Sequence, residues 1–153
     1  MREYTIYWIR KEFCNRYFFR SEILFRFIAS YHKETHNPIL SSQFQFVAQD
    51  IPYIQLVNHI KSYYTPFLDI QVEGNQIILN GNDQLMVTMD IHRKQVQIRC
   101  QHIQDAESVV FQPLRTFDSC FFVIEQGVHN YGWISPLKKR KDILDKELLY
   151  STR

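Results

Sequence analysis

Glycine is scarce, with 4 in 153 residues. The common phosphate-cradling loops need several glycines at fixed spacing, and neither form is present. Cysteine is also sparse: Cys14, Cys100 and Cys120 are odd in number and far apart. That excludes a dense disulfide framework and leads us to expect a reducing, cytoplasmic setting. Long apolar runs are missing too. No stretch approaches the ~20 apolar residues of a membrane helix, and Met1-Arg-Glu-Tyr-Thr-Ile-Tyr-Trp-Ile-Arg10 lacks the apolar core of a signal peptide. Membrane insertion and export are therefore not expected. Charge of one sign is not in excess either. The net charge is +2, and Glu3, Glu12, Glu22 and Glu34 interleave with Arg2, Arg10, Arg16, Arg20 and Arg26. A nucleic-acid binder gathers its basic residues on one face, so no direct nucleic-acid contact is expected.

Motifs for chemistry are equally thin. His32 and His36 stand four apart, a spacing that can share a cation. The metalloprotease form puts Glu directly after the first His, whereas Lys33 stands there and Glu34 comes one place late. No third ligand lies nearby, so the pair reads as a solvated helix end, and no metal or cofactor is expected. The cysteines occur in no recognisable nucleophile context, and Ser41 and Ser42 lack a Gly-x-Ser-x-Gly turn. The basic run Lys138 to Lys141 is diluted at once by Asp142, Asp145 and Glu147. The chain reads as a non-enzyme with no catalytic residues.

What it has in quantity is aromatic side chains: 12 Phe, 9 Tyr and 2 Trp make up 15% of the residues. Such residues dominate both cores and binding hot spots. Hydrophobic content of 45% in 153 residues suits one globular domain. Tyr4 to Ile9 predicts a strand. A short helix follows Arg10, carrying Phe13 and Tyr17. Ser21-Glu22 starts a second helix with Ile23, Leu24, Phe27, Ile28 and Tyr31 as its core stripe, ended by Asn37-Pro38. Ser41 to Ala48 predicts a helix with Phe44 and Val47 inward and Gln43 and Phe46 toward a neighbouring face. Pro52 opens another, running to Tyr64 with Ile54, Val57 and Ile60 inward, and Pro66 closes this half.

Alternating Leu68, Ile70, Val72, then Ile77, Leu79, then Leu85, Val87, Met89, Ile91, then Val96, Ile98 predicts a four-stranded antiparallel meander. Its turns fall at Gly74-Asn75, at residues 80–83 and at His92-Arg-Lys94. Asp105 to Phe117 has helical spacing that Pro113 should break or kink. Cys120 to Ile124 predicts a strand buried on both faces. Ile143, Leu144, Leu148 and Leu149 in the tail are again at helical spacing. The expected fold is α+β, a single domain whose mostly antiparallel mixed sheet is packed by helices. The sheet combines the central meander with an N-terminal and a late strand.

Phe13 and Tyr17 share one helical face. Periodicity alone allows them to be core residues or, on a short basic helix with Arg10, Lys11 and Arg16, an exposed binding edge. Three segments bear on this: Ile9-Arg-Lys-Glu-Phe-Cys-Asn-Arg-Tyr-Phe18, Gln49-Asp-Ile-Pro52 and Tyr131-Gly-Trp-Ile-Ser-Pro-Leu-Lys138. They resemble the SirA family, the sporulation inhibitors of replication of Bacillus-type bacteria. The resemblance covers residues 3–64 and 105–141, is weak in the meander, and divides the chain into a domain, 1–141, and an extension, 142–153.

It implies a cytoplasmic, monomeric inhibitor of replication initiation that binds the N-terminal domain of the initiator DnaA without catalysis. The alternative is a protein-interaction module of the same fold with another partner. It further implies a binding face made of the aromatic pair Phe13 and Tyr17 together with Ser42, Gln43 and Phe46 on a later helix. The family pattern has a lysine where Ser42 stands and a tyrosine where Phe46 stands, which bears on partner preference more than on binding mode.

Overall fold

The computed structural model describes residues 1–63, 68–81 and 85–135. Expectations for Tyr64 and Pro66, for the second half of the turn at 80–83, and for the tail from Pro136, including Lys138 to Lys141 and the Ile143–Leu149 stripe, lie outside these residues.

Among the described residues seven strands form one sheet: β1 (Arg2–Trp8), β2 (Asp69–Glu73), β3 (Gln76–Asn80), β4 (Met86–Ile91), β5 (Val96–Cys100), β6 (Phe121–Glu125) and β7 (Asn130–Trp133). Their order is β2-β3-β4-β5-β1-β6-β7, and every pairing is antiparallel. The meander forms as its alternation predicts, and Gly74 takes a φ of +60° in the two-residue β2–β3 turn, a conformation that costs glycine nothing. The N-terminal strand lies between β5 and β6, with Tyr4 opposite Ile98 on one side and Glu125 on the other. That central place explains why Tyr4, Thr5, Ile6 and Tyr7 are all buried.

Strand alternation separates two cores. Tyr4, Ile6, Val96, Ile98 and Phe121 face one, beneath Leu56, Val57, Val110 and Leu114. Tyr7, Ile9, Phe122 and Trp133 face the other, beneath Cys14, Phe18, Leu24, Ile28, Phe44 and Val47. The apolar β6 run thus serves both faces, as its composition predicts.

The helices covering the second core are α1 (Lys11–Arg16), α2 (Ser21–Lys33) and α3 (Pro38–Val47); α4 (Tyr53–Tyr63) covers the first. Three details differ from the sequence expectation. On α2, Leu24 and Ile28 are buried and Phe27 and Tyr31 partly so, but Ile23 is exposed, because the inward stripe is narrower than five residues. On α4, Leu56 takes the inward place expected for Ile54, which is 67% exposed. α3 begins three residues before Ser41. The Asn37 carboxamide accepts hydrogen bonds from the Ile39 and Leu40 amides at 3.0 and 3.2 Å, and Pro38 occupies the first turn. α2 has already ended at Lys33, so the dipeptide expected to stop it instead starts α3.

The region of Pro113 is helical throughout: α5 (Ile103–Ala106), a π-helical stretch over Glu107–Phe111, then α6 (Gln112–Phe117). The Gln112 amide donates to the Glu107 carbonyl five residues back. The ladder is thus re-registered just ahead of the one residue that can donate nothing, and the proline is accommodated instead of ending the helix.

Candidate partner-binding site

Helix α1 starts where β1 ends. Cys14 and Phe18, four apart, point into the second core and are buried. Phe13 and Tyr17 precede each by one position and so are rotated to the rim, half-buried against that core. Neither of the two alternatives describes them alone: one side of each ring packs inward and the other faces solvent.

Helix α3 brings the second set. Phe44 and Val47 are buried, while Ser42, Gln43 and Phe46 are exposed, Phe46 by 53%. Ser42 and Gln43 precede Phe46 by four and three residues and share its helical face. The Phe13 and Phe46 rings meet edge to face, with centroids 5.7 Å apart and planes at 85°. Two expected residues from different segments, 33 positions apart, thus become one exposed aromatic ridge. Tyr17, the capping residue just after α1, follows Phe13 by four positions and is likewise half-buried on the second core.

Three further residues stand at this ridge: Arg10 and Arg16, read from sequence only as part of a basic helix, and Ile39, which the sequence reading missed. The Arg10 guanidinium lies 4.6 Å from the Phe46 ring centroid and that of Arg16 lies 5.8 Å from Phe13. Such stacking contributes about 0.5–1 kcal/mol at exposed sites. Ile39, 68% exposed, stands three residues before Ser42 on the same face of α3. The basic character of the first helix was visible in sequence, but its pairing with rings required the fold.

The Tyr131-Gly-Trp133 motif supports this ridge from behind. Trp133 packs 5.0 Å from Phe122, stacks with Phe18 at 6.4 Å and donates its indole N–H to the Phe18 carbonyl at 3.2 Å. Tyr131 stacks on Phe25 of α2 at 4.2 Å. The motif therefore fixes the chain that leaves α1.

His32 and His36 do not share a helical face, since α2 ends at Lys33. His32 Nε2 is already 2.7 Å from the Tyr7 hydroxyl. Among the described residues no group of three or more His, Cys, Asp or Glu side chains is placed to hold a metal ion. Desolvation pushes the His32 imidazole below its ordinary value of about 6.5. The folded state thus favours the neutral ring. Its contribution to stability is complete above about pH 6.5 and is lost as pH falls through the lower folded value. The Glu125 carboxylate, held below its usual range by Arg2 and then Asn130, loses its contribution only at more acid pH. Melting temperature should therefore decline modestly between pH 7 and pH 5, and His32→Gln should flatten that part of the profile. Parallel profiles for the two proteins would contradict this role.

Comparison with known proteins gives two findings. The family model for "Sporulation inhibitor of replication protein SirA" matches residues 2–138. The Bacillus subtilis (strain 168) protein of that name is 25% identical over 143 residues, covering 91% of this chain and 97% of that protein. The match runs through the meander, where the resemblance read from motifs was weak.

Proposed function

Since the chain belongs to the SirA family of sporulation inhibitors of replication, we propose that it blocks chromosomal replication initiation by binding the N-terminal domain of DnaA. The binding face is the ridge of Phe13, Tyr17, Ser42, Gln43 and Phe46. The observation that carries this reading is the edge-to-face contact of Phe13 with the exposed Phe46 ring. It forms a rigid aromatic projection with one face in solvent, the kind of group that anchors protein interfaces. The protein acts in the cytoplasm as a monomer, by occupancy and not by catalysis, and touches no nucleic acid. Among the described residues no helix is long and apolar enough to cross a membrane.

Producing the chain in growing cells of its native host should lower the origin-to-terminus ratio by suppressing new replication rounds. An unchanged ratio at high protein level would contradict the proposal. Residues 142–153 lie beyond the family match, so removing them should leave DnaA binding within about twofold. A folded, truncated chain that no longer binds would place the extension in the interface.

A further inference from the structure

Helix α3 lacks a basic residue in its own last turn, yet it ends beside two cations delivered by distant parts of the chain. A helix leaves its last four carbonyls without intrahelical partners, here those of Gln45, Phe46, Val47 and Ala48. All four are satisfied. Lys94, in the turn between β4 and β5, donates its ammonium to Gln45 O at 3.0 Å and Ala48 O at 2.7 Å. Arg10, at the junction of β1 and α1, donates its Nε–H to Phe46 O and its backbone N–H to Val47 O, the latter at 2.9 Å. Lys94 is only 16% exposed and is held in turn by Asp50 at 2.9 Å. Both cations also sit at the negative end of the helix dipole. The Arg10 guanidinium then continues onto the Phe46 ring.

We propose that Arg10 and Lys94 are positioning residues for partner binding: together they clamp the end of α3 and set the direction in which Phe46 projects. The inference rests on the aromatic ridge being the contact face. It gives the meander a part in function, because the β4–β5 turn braces the contact helix from behind without touching the partner. The clamp is built from segments far apart in sequence that meet because β1 pairs with β5, so the angle of Phe46 depends on the β1–α1 junction and the meander keeping their spacing.

The test is a double-mutant cycle against Phe46, which separates action through that ring from a general loss of structure. Arg10→Met and Lys94→Met keep the aliphatic stems and remove the donors. Each should weaken binding of the DnaA N-terminal domain by about fivefold or more in the parent chain, and by less than about twofold in a Phe46→Ala background. A 4-fluorophenylalanine probe at position 46 should give one narrow fluorine line in the parent and a shifted or broadened line in both variants, without partner present. Lys94→Arg, which retains a cationic donor, should keep most of the affinity, and serves as the second variant if Lys94→Met melts early. Equal losses in both backgrounds, or parent-like binding by the Met variants, would overturn the positioning role. If Phe46→Ala itself binds as the parent does, the contact-face reading fails, and the inference falls with it.

Discussion

Phe122→Ala should lower stability by about 3–5 kcal/mol, the range for deleting a buried phenylalanine. Phe122, the second residue of β6, is fully buried, with Trp133 at 5.0 Å and Tyr131 at 6.1 Å. It underlies the same core that Cys14, Phe18 and Phe44 enter from α1, the turn after it, and α3. Its removal opens a cavity beneath both helices of the aromatic ridge, and the surrounding rings are too large to close it by small shifts. For a chain of this size the loss corresponds to a melting temperature lower by roughly 10 °C. Urea unfolding of parent and variant measures it directly. A loss under about 1 kcal/mol would mean that this core does not support the ridge.

The second large effect is on binding and separates from the first. Phe46→Ala removes a ring that is more than half exposed, so the melting temperature should move little, yet affinity for the DnaA N-terminal domain should fall about thirtyfold, equivalent to about 2 kcal/mol. Phe13→Ala and Tyr17→Ala should each weaken binding by at least about tenfold. Because both rings are half-buried on the second core, these two should also lose about 1 kcal/mol of stability. Isothermal titration and thermal unfolding on the same three variants give both numbers. Stable variants with parent-like affinity would defeat the hot-spot assignment. Variants that unfold early without a specific affinity loss would return the rings to the core alone.

Local pattern made much of this fold legible. The meander announces itself because period-two alternation and turn residues are properties of neighbouring positions. The same holds for the apolar β6 run and for α4, whose boundaries shift by one residue, and for the start of α2, although α2 stops at Lys33, ahead of the expected Asn37-Pro38. The insertion of β1 between β5 and β6 was not legible, because strand order depends on which distant segments pair. The misplacement of Ile23 and Ile54 has a common cause. An apolar residue beside a helical stripe fits the period equally well, and only the packed neighbour decides which one faces in. Pro113 misled because a single proline has two outcomes, a break or a re-registered ladder, and the π-helical stretch realises the second.

For the site, spacing placed Phe13 and Tyr17 together, and the family resemblance added Ser42, Gln43 and Phe46. The Phe13–Phe46 contact could not be read from either source. Arg10 and Lys94 were invisible as a pair because their shared target is backbone carbonyls, which leave no mark in side-chain sequence.

The most direct test of the central claim is a nuclear magnetic resonance titration of the isotopically labelled chain with the unlabelled DnaA N-terminal domain. The account predicts saturable amide shifts concentrated on α1 and the exposed face of α3, around Phe13, Tyr17, Ser42, Gln43 and Phe46, with the β2 edge of the sheet unmoved. No shifts at saturating concentrations, or shifts confined to β2 and β3, would contradict it.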